Sequence, residues 1–499
     1  MNIAQYALRR QFSHSVRTRP APWAFYYESL VCYADDEHVT VSQDDETLIP
    51  PFVCSFGAQS RDRSVLAVAD EEGSVQLIDS NRSGQSALIQ EWRAHANAIF
   101  DLCWADNDVA KLLTGSGDQK IVFWDTIRCA PIQSFCGHGS SVKSVKFRKN
   151  DSNVFVSGSR DGSIRLWDAR CNASRGHGSS ALTIPDAHVT CLSSRSLNDT
   201  RPPKRIGKRR KSTATGDQSK SVTCAVFQGD ATLISSGASD SVIKGWDIRM
   251  CRHHLKPVKT YPYPKQSARQ HGYSHLVLDS TDGRLFANCT DDNIYMYDCS
   301  SQTTLPLASF RGHLNASFYV KTSISVDDRF LLSGSSDHKA YMWQIDSPDK
   351  PPFVLTGHAK EVTSVAWCRQ DATRLATCSD DNSVRIWRLD RHANDSHKPI
   401  VGQTRIENEI RPSPPPPSSP TLITDTSKRQ PSILSFMRVI DEKENQNQSM
   451  ESGYSSDENS PTKKKLKFGE TSPSTLRNVS NTRVGKTITQ YFSPNGPSK

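Results

Sequence analysis

The sequence predicts an all-β fold, a ring of seven four-stranded blades followed by a disordered C-terminal tail. Three observations carry this. An aromatic–acid pair recurs along the chain, an acid stands six residues before it each time, and in four copies a histidine precedes it by 29 or 30 residues. The stretch Ser157 to Arg170, SGSRDGSIRLWDAR, shows the unit: small residues, a tight turn at Asp161-Gly162, then a run into Trp167-Asp168. A strand, a turn and a second strand ending in Trp-Asp make half of a blade, so the pattern is that of a seven-bladed WD-repeat β-propeller.

Aligning the units on the aromatic gives Ile78, Trp124, Trp167, Trp246, Tyr297, Trp343 and Trp387, at intervals of 46, 43, 79, 51, 46 and 44. The long interval shrinks to ordinary length once a polar, basic insertion of about 189–220 is set aside. The matching acids are Glu72, Asp118, Asp161, Asp240, Asp291, Asp337 and Asp381. Each is expected in the turn between the second and third strands, where a carboxylate accepts from turn amides and from an incoming His. Blades two, three, six and seven add Thr114, Ser157, Ser333 and Thr377, with His95, His138, His313 and His358. His, Ser/Thr, Asp and Trp are then predicted to form a buried polar chain ending on the indole NH. Blade one lacks both Trp and His, and blade five has Tyr297 with Ala287 at the Ser/Thr position.

In domain terms, residues 1–50 read as a loosely ordered lead-in, although Trp23, Phe25, Tyr26 and Tyr27 suggest that part of it packs. Residues 51–390 read as the propeller, with the first strand near Phe52–Phe56 expected to complete the last blade and close the ring. After Asp390 the composition turns to Ser, Thr, Pro, Asn and Lys, with RPSPPPPSSP at 411–420, so 391–499 is expected to be disordered.

Composition excludes several classes. No stretch approaches the ~18 apolar residues of a membrane helix, and MNIAQYALRRQF lacks the apolar core of a secretory signal. Thirteen cysteines without close pairing read as free thiols of a reducing compartment. Cys251-Arg252-His253-His254 is the most metal-like cluster and lacks a second ligand group, so no metal or cofactor is expected. Of the net charge of +9, the insertion and the tail carry the basic excess, leaving a mildly acidic body. The Ser-His-Asp sets invite a hydrolase reading, but their repetition and the absence of G-x-S-x-G count against it. With no P-loop or kinase set either, no catalytic residue is expected.

Two blades end in Trp-Asp-x-Arg: Trp167-Asp168-Ala169-Arg170 and Trp246-Asp247-Ile248-Arg249. Being adjacent, they can place both arginines on one face of the disc, where a guanidinium fork suits carboxylates or carbonyls of a partner. Here the sequence resembles the WDxR (DWD-box) proteins, which dock on the adaptor of cullin-4 ubiquitin ligases. The runs PPFVCSF (50–56), EWRAHANAIFDLCW (91–104), FANCTDDNIYMYD (286–298), FYVKTSISVDDRFLLSGSSD (318–337) and EVTSVAWC (361–368) narrow the resemblance to the denticleless family of ligase substrate receptors.

That resemblance implies a non-catalytic subunit. It would dock through Arg170 and Arg249 on the adaptor (the large subunit of damage-specific DNA-binding protein), and through it on cullin-4 and the RING subunit. It implies substrates that display a degron on the sliding clamp (proliferating cell nuclear antigen): a replication-licensing factor, a cyclin-dependent kinase inhibitor and a histone methyltransferase, destroyed in S phase and after DNA damage.

The tail adds its own signals. Ile488, Tyr491 and Phe492 in Ile-Thr-Gln-Tyr-Phe have the Ile-x-x-aromatic-aromatic core of a clamp-binding (PIP) box, although Gly485 stands where its Gln is usual, and the family is known for a C-terminal PIP box. Gln430, Ile433 and Phe436 form a weaker second candidate. Lys204, Arg205, Lys208, Arg209, Arg210 and Lys211, and Lys463, Lys464, Lys465 and Lys467, resemble nuclear-import signals and can also attract DNA phosphates nonspecifically. Ser413, Ser419, Ser460, Ser472 and Ser493 precede proline, as proline-directed kinases require. The expected location is the nucleus, on chromatin in S phase, with some cytoplasmic or centrosomal protein. The rival expectation is a WD-repeat scaffold for chromatin or RNA-processing assembly without a ligase.

Overall fold

The computed structural model describes residues 27–42, 47–57, 64–106, 108–171, 177–189, 220–250, 256–265, 270–389 and 398–407. Both PIP-like motifs, both basic clusters, the Ser-Pro sites, Cys251–His254 and most of the insertion lie outside these residues.

Seven antiparallel four-stranded blades form a ring of WD-repeat type, with His177–Gly178 added in parallel at the edge of blade two. Blade three shows the order from hub to rim: Val142–Arg148 (strand a), Asp151–Ser159 (b), Ile164–Asp168 (c) and Ser180–Ile184 (d). Blades one, two, four, five and six repeat this pairing with strands c of Ser74–Asp79, Ile121–Asp125, Ile243–Asp247, Asn293–Asp298 and Ala340–Gln344, so every anchor aromatic, and Ile78 in blade one, lies on a third strand. Strand a of each blade packs beside strand a of the next, and blade seven returns to blade one. Between blades the core is large and aromatic: Phe123 and Phe135 of blade two pack on Phe147, Phe155 and Trp167 of blade three.

Ring closure differs from the sequence expectation. Pro51–Phe56 is not the last strand of blade seven; it is strand a of blade one, paired with Val65–Asp70. Five of its six residues are buried, and a run apolar on both faces belongs at the hub, whereas a rim strand keeps one face in water. The closing strand comes from the lead-in: Leu30–Tyr33 pairs with Ser383–Leu389, with Leu30 opposite Leu389. Tyr27, fully buried, sets its ring edge-on to Phe330 and Trp367 and seats this segment. Beyond the expected propeller end, Ile400–Ile406 inserts between Leu30–Tyr33 and Phe353–Thr356, satisfying the open edges of blades six and seven together. The propeller therefore takes in residues from 27 to 407, cutting into both the expected lead-in and the expected tail.

The hub carries a buried ion cluster. Lys321 of blade six donates to Asp101 of blade two at 2.6 Å and to the Phe100 carbonyl at 2.8 Å, with Lys146 of blade three 3.5 Å from the same carboxylate. Burial opposes ionisation of Asp101, but Lys146 and Lys321 outweigh it and hold the carboxyl at about 2.

Candidate docking face

Each blade has two kinds of turn, and they lie on opposite faces. The b–c turn holds the repeated acid and meets the loop that enters strand a. The a–b and c–d turns emerge on the other face.

On the first face, blade three builds the predicted chain. The Trp167 indole NH donates to Ser157 Oγ at 2.8 Å, Ser157 Oγ lies 2.7 Å from His138 Nε2, and His138 Nδ1 lies 3.0 Å from Asp161 Oδ2. An indole NH can only donate, so the serine hydroxyl passes its hydrogen to Nε2, and Nδ1–H goes to the carboxylate. Burial disfavours the imidazolium and lowers the His138 pKa, which fits a neutral ring. Thr114, His95, Asp118 and Trp124 form the same chain in blade two, and Thr377, His358, Asp381 and Trp387 in blade seven. The donor–acceptor order resembles a hydrolytic triad. Ser157, however, is wholly buried with its oxygen capped by the indole, so it cannot meet a substrate carbonyl.

Two departures from the sequence reading stand out. Blade four also has the chain, with His188 Nδ1 2.8 Å from Asp240 and Nε2 2.8 Å from Ser235, which accepts from Trp246. Spacing missed it because the insertion separates His188 from its Trp by twice the usual distance. Blade six does not have it, although all four residue types are present. Trp343 donates to the Arg311 carbonyl, Ser333 to the Gly334 carbonyl, and Asp337 accepts from the Tyr341 phenol at 2.6 Å. His313 instead meets Asn288 of blade five through Nε2 at 3.1 Å. The Tyr two residues before the anchor takes the place on the turn acid that the loop His holds in blade three, and in blade five Tyr295 sits on Asp291 in the same way at 2.6 Å.

On the opposite face, the c–d turns begin at the acid of each Trp-Asp pair. Asp168 Oδ1 accepts the Arg170 amide at 2.9 Å and capping fixes the turn; the guanidinium then folds onto the same carboxylate, Nε to Oδ1 at 2.9 Å and Nη2 to Oδ2 at 2.8 Å. Asp151 from the a–b turn adds a contact at 3.6 Å. Blade four repeats this: Arg249 amide and Nε reach Asp247 Oδ1 at 2.9 and 3.0 Å, and Nη2 reaches Oδ2 at 2.7 Å. The Arg249 fork, helped by its amide, holds the Asp247 carboxyl down at about 2. The two arginine side chains are 59% and 74% exposed. Because β-strands c of neighbouring blades run the same way, both forks project from one face. Trp167 and Trp246 are buried, with their NH groups engaged. They fix the strand ends that carry the arginines and do not themselves meet a partner.

The geometry is that of a WD-repeat propeller with a paired-arginine face. The WD domain, G-beta repeat family matches residues 86–125, 129–168, 209–247, 304–344 and 349–388. The two blades left unmatched are one and five, in which Ile78 and Tyr297 replace the Trp. The chain is 44% identical over 389 residues to Denticleless protein homolog A of Xenopus laevis, covering 75% of this chain and 54% of that protein. It is 45% identical over 368 residues to Denticleless protein homolog of Homo sapiens (72% and 49%) and 36% over 356 residues to Protein lethal(2)denticleless of Drosophila melanogaster (68% and 45%). The chain belongs to the denticleless family of WD-repeat proteins. It spans about half the length of the curated relatives it matches.

Proposed function

We propose that this chain is the substrate-recognition subunit of a nuclear cullin-4 RING ubiquitin ligase and has no catalytic activity of its own. The observation that carries the reading is the pair of exposed forks, Arg170 and Arg249, on one face of adjacent blades. Each fork uses Nε and Nη2 on its own Asp, which holds it in one orientation and leaves Nη1 with no hydrogen bond to the described residues. An exposed ion pair contributes little to stability, so pre-orientation for a partner is the better use of two such pairs. The face bearing the histidine turns, opposite the forks, is then free for a degron displayed on DNA-loaded clamp. At its hub Phe52, Phe100 and Tyr319 stack, with Lys143 Nζ 3.3 Å from the Phe100 ring centre. Such a receptor acts by proximity, raising the effective concentration of a substrate lysine near the charged conjugating enzyme. Ile488, Tyr491 and Phe492 would tether the tail to the same clamp, and the basic clusters would bring the protein to the nucleus.

The test is adaptor pull-down with an Arg170→Ala, Arg249→Ala double variant. Loss of adaptor, cullin and RING subunit is expected; unchanged recovery would leave the scaffold reading standing. A tail peptide carrying Tyr491→Ala and Phe492→Ala is expected to lose affinity for the clamp.

A further inference from the structure

Resting on the docking reading above, we propose that blade two supplies a third anchor, Arg128, and that the adaptor-binding surface is an arc over blades two, three and four. Spacing hides it, because blade two reads Trp124-Asp125-Thr126-Ile127-Arg128, with the arginine one residue later than in Trp-Asp-x-Arg. The structure removes that difference. Asp125 Oδ1 accepts the amides of both Ile127 and Arg128, at 2.9 and 3.1 Å, so Ile127 takes the amide position that Arg170 and Arg249 hold and Arg128 follows it at the next. Cys129 closes the turn in the left-handed region at φ +50°, a conformation that favours short, tight reversals. Arg128 Nη1 then lands on Asp125 Oδ2 at 2.7 Å, the same carboxylate position that receives Arg170 and Arg249.

Two features mark Arg128 as a binding group. It is the most exposed of the three, at 80%. It also gives its Asp only Nη1, whereas Arg170 and Arg249 give Nε and Nη2. Its Nε and Nη2 make no hydrogen bond to the described residues, leaving the edge that pairs bidentately with a carboxylate or with two carbonyls. Blades five, six and seven lack this device, and blade one carries it on a less exposed side chain, Arg82 at 42%. In blade five Asp298 caps only the amides of Ser300 and Ser301. Blade six has Gln344 at the acid position, and blade seven has Arg388, which is held by Asp36. In blade one Arg82 rests on Asp79, in a turn whose carbonyl Arg388 also grips. The partner surface that fits is a protein face presenting carboxylates or loop carbonyls along an arc of three blades.

The experiment measures equilibrium affinity of the full chain for the adaptor by biolayer interferometry. Variants are Arg128→Ala, Arg128→Lys, the Arg170→Ala, Arg249→Ala double, and Arg329→Ala, whose 56%-exposed side chain lies on the same face in blade six. Arg128→Ala is expected to weaken binding about tenfold, Arg128→Lys to recover less than half of that because the fork is lost, and Arg329→Ala to stay within twofold. Thermal melts should coincide for all, since these side chains are solvent-exposed. Binding unchanged by Arg128→Ala while the double variant fails would overturn the third anchor and leave the docking reading intact. An equal loss for Arg329→Ala would reduce the effect to general charge on that face and overturn it too. Full binding by the double variant would remove the docking reading itself.

Discussion

Blades three and six contain the same four residue types at nearly the same spacing, and they use them differently. In blade three, Trp167, Ser157, His138 and Asp161 form one chain that ties the entering loop to strands b and c. In blade six, Asp337 is served from its own strand by Tyr341, and the displaced His313 turns to the neighbouring blade. There Asn288 is the hub: its amide donates to Ser333 Oγ, and its carbonyl accepts from both His313 and Asn315. The first arrangement stabilises a blade; the second staples two blades together. The histidine tautomers are opposite as a result. His138 carries its hydrogen on Nδ1 for Asp161, and His313 carries it on Nε2 for Asn288 Oδ1, with Nδ1 buried and unpartnered.

The strongest way to break this comparison is to delete the hydroxyl in each blade. Ser157→Ala strands a buried indole NH and the His138 Nε2 acceptor at once, for an expected loss of about 3 kcal/mol. Ser333→Ala strands only one hydrogen of Asn288 and is expected to lose about 1 kcal/mol. Chemical denaturation of the two variants checks this. Equal losses would mean that the chain in blade three is no more connected than its counterpart in blade six.

Why the sequence told these blades apart so poorly follows from what sets a spacing. The turn acid and the anchor sit in one hairpin, so their six-residue offset is local geometry and holds in all seven blades. The histidine arrives from the preceding loop, whose length is free. Hence His188, separated from its Trp by the insertion, gives no spacing signal, while His313, at ordinary distance, points to the wrong acid. A signal was present: Tyr295-Met296-Tyr297 and Tyr341-Met342-Trp343 place a phenol two residues before the anchor, on the same face of the strand. Ring closure was illegible for a similar reason, since Leu30–Tyr33 carries no repeat mark and is recognised only by the edge it fills. The docking arginines were half legible. Arg170 and Arg249 are legible because turn and spacing coincide; Arg128 is not, because it stands one residue further along the turn and still reaches the same carboxylate oxygen.

A second contrast lies in acid sensitivity. Burial lowers the His313 pKa to about 4, against an ordinary value near 6.5. The folded state therefore favours the neutral ring, and this contribution is fully present above pH 6.5 and is lost as the pH falls from there towards 4. At pH 5 the expected loss is about 2 kcal/mol. His313→Asn keeps a neutral donor for Asn288 and removes the titration. Denaturation from pH 7 to pH 5 should show a smaller loss for this variant than for the parent, and superimposable profiles would refute the assignment. Nitrogen chemical shifts of the imidazoles give an independent check, since His138 and His313 should report opposite tautomers.

The smallest effect concerns the phenol that distinguishes the two kinds of blade. Tyr341→Phe removes one hydrogen bond to Asp337, whose carboxylate keeps Lys339 at 3.7 Å, and the ring remains packed against Trp343. A cost of about 1 kcal/mol is expected. The informative measurement is what His313 does next. If the phenol alone keeps the histidine off its turn acid, Tyr341→Phe frees Asp337, and the ring swings back to build the chain seen in blade three, switching its tautomer from Nε2–H to Nδ1–H. If the His313 shifts stay put, the two asparagines, Asn288 and Asn315, hold the ring by themselves. The staple between blades five and six would then be the primary feature of this half of the ring, with the tyrosine cap a consequence of it.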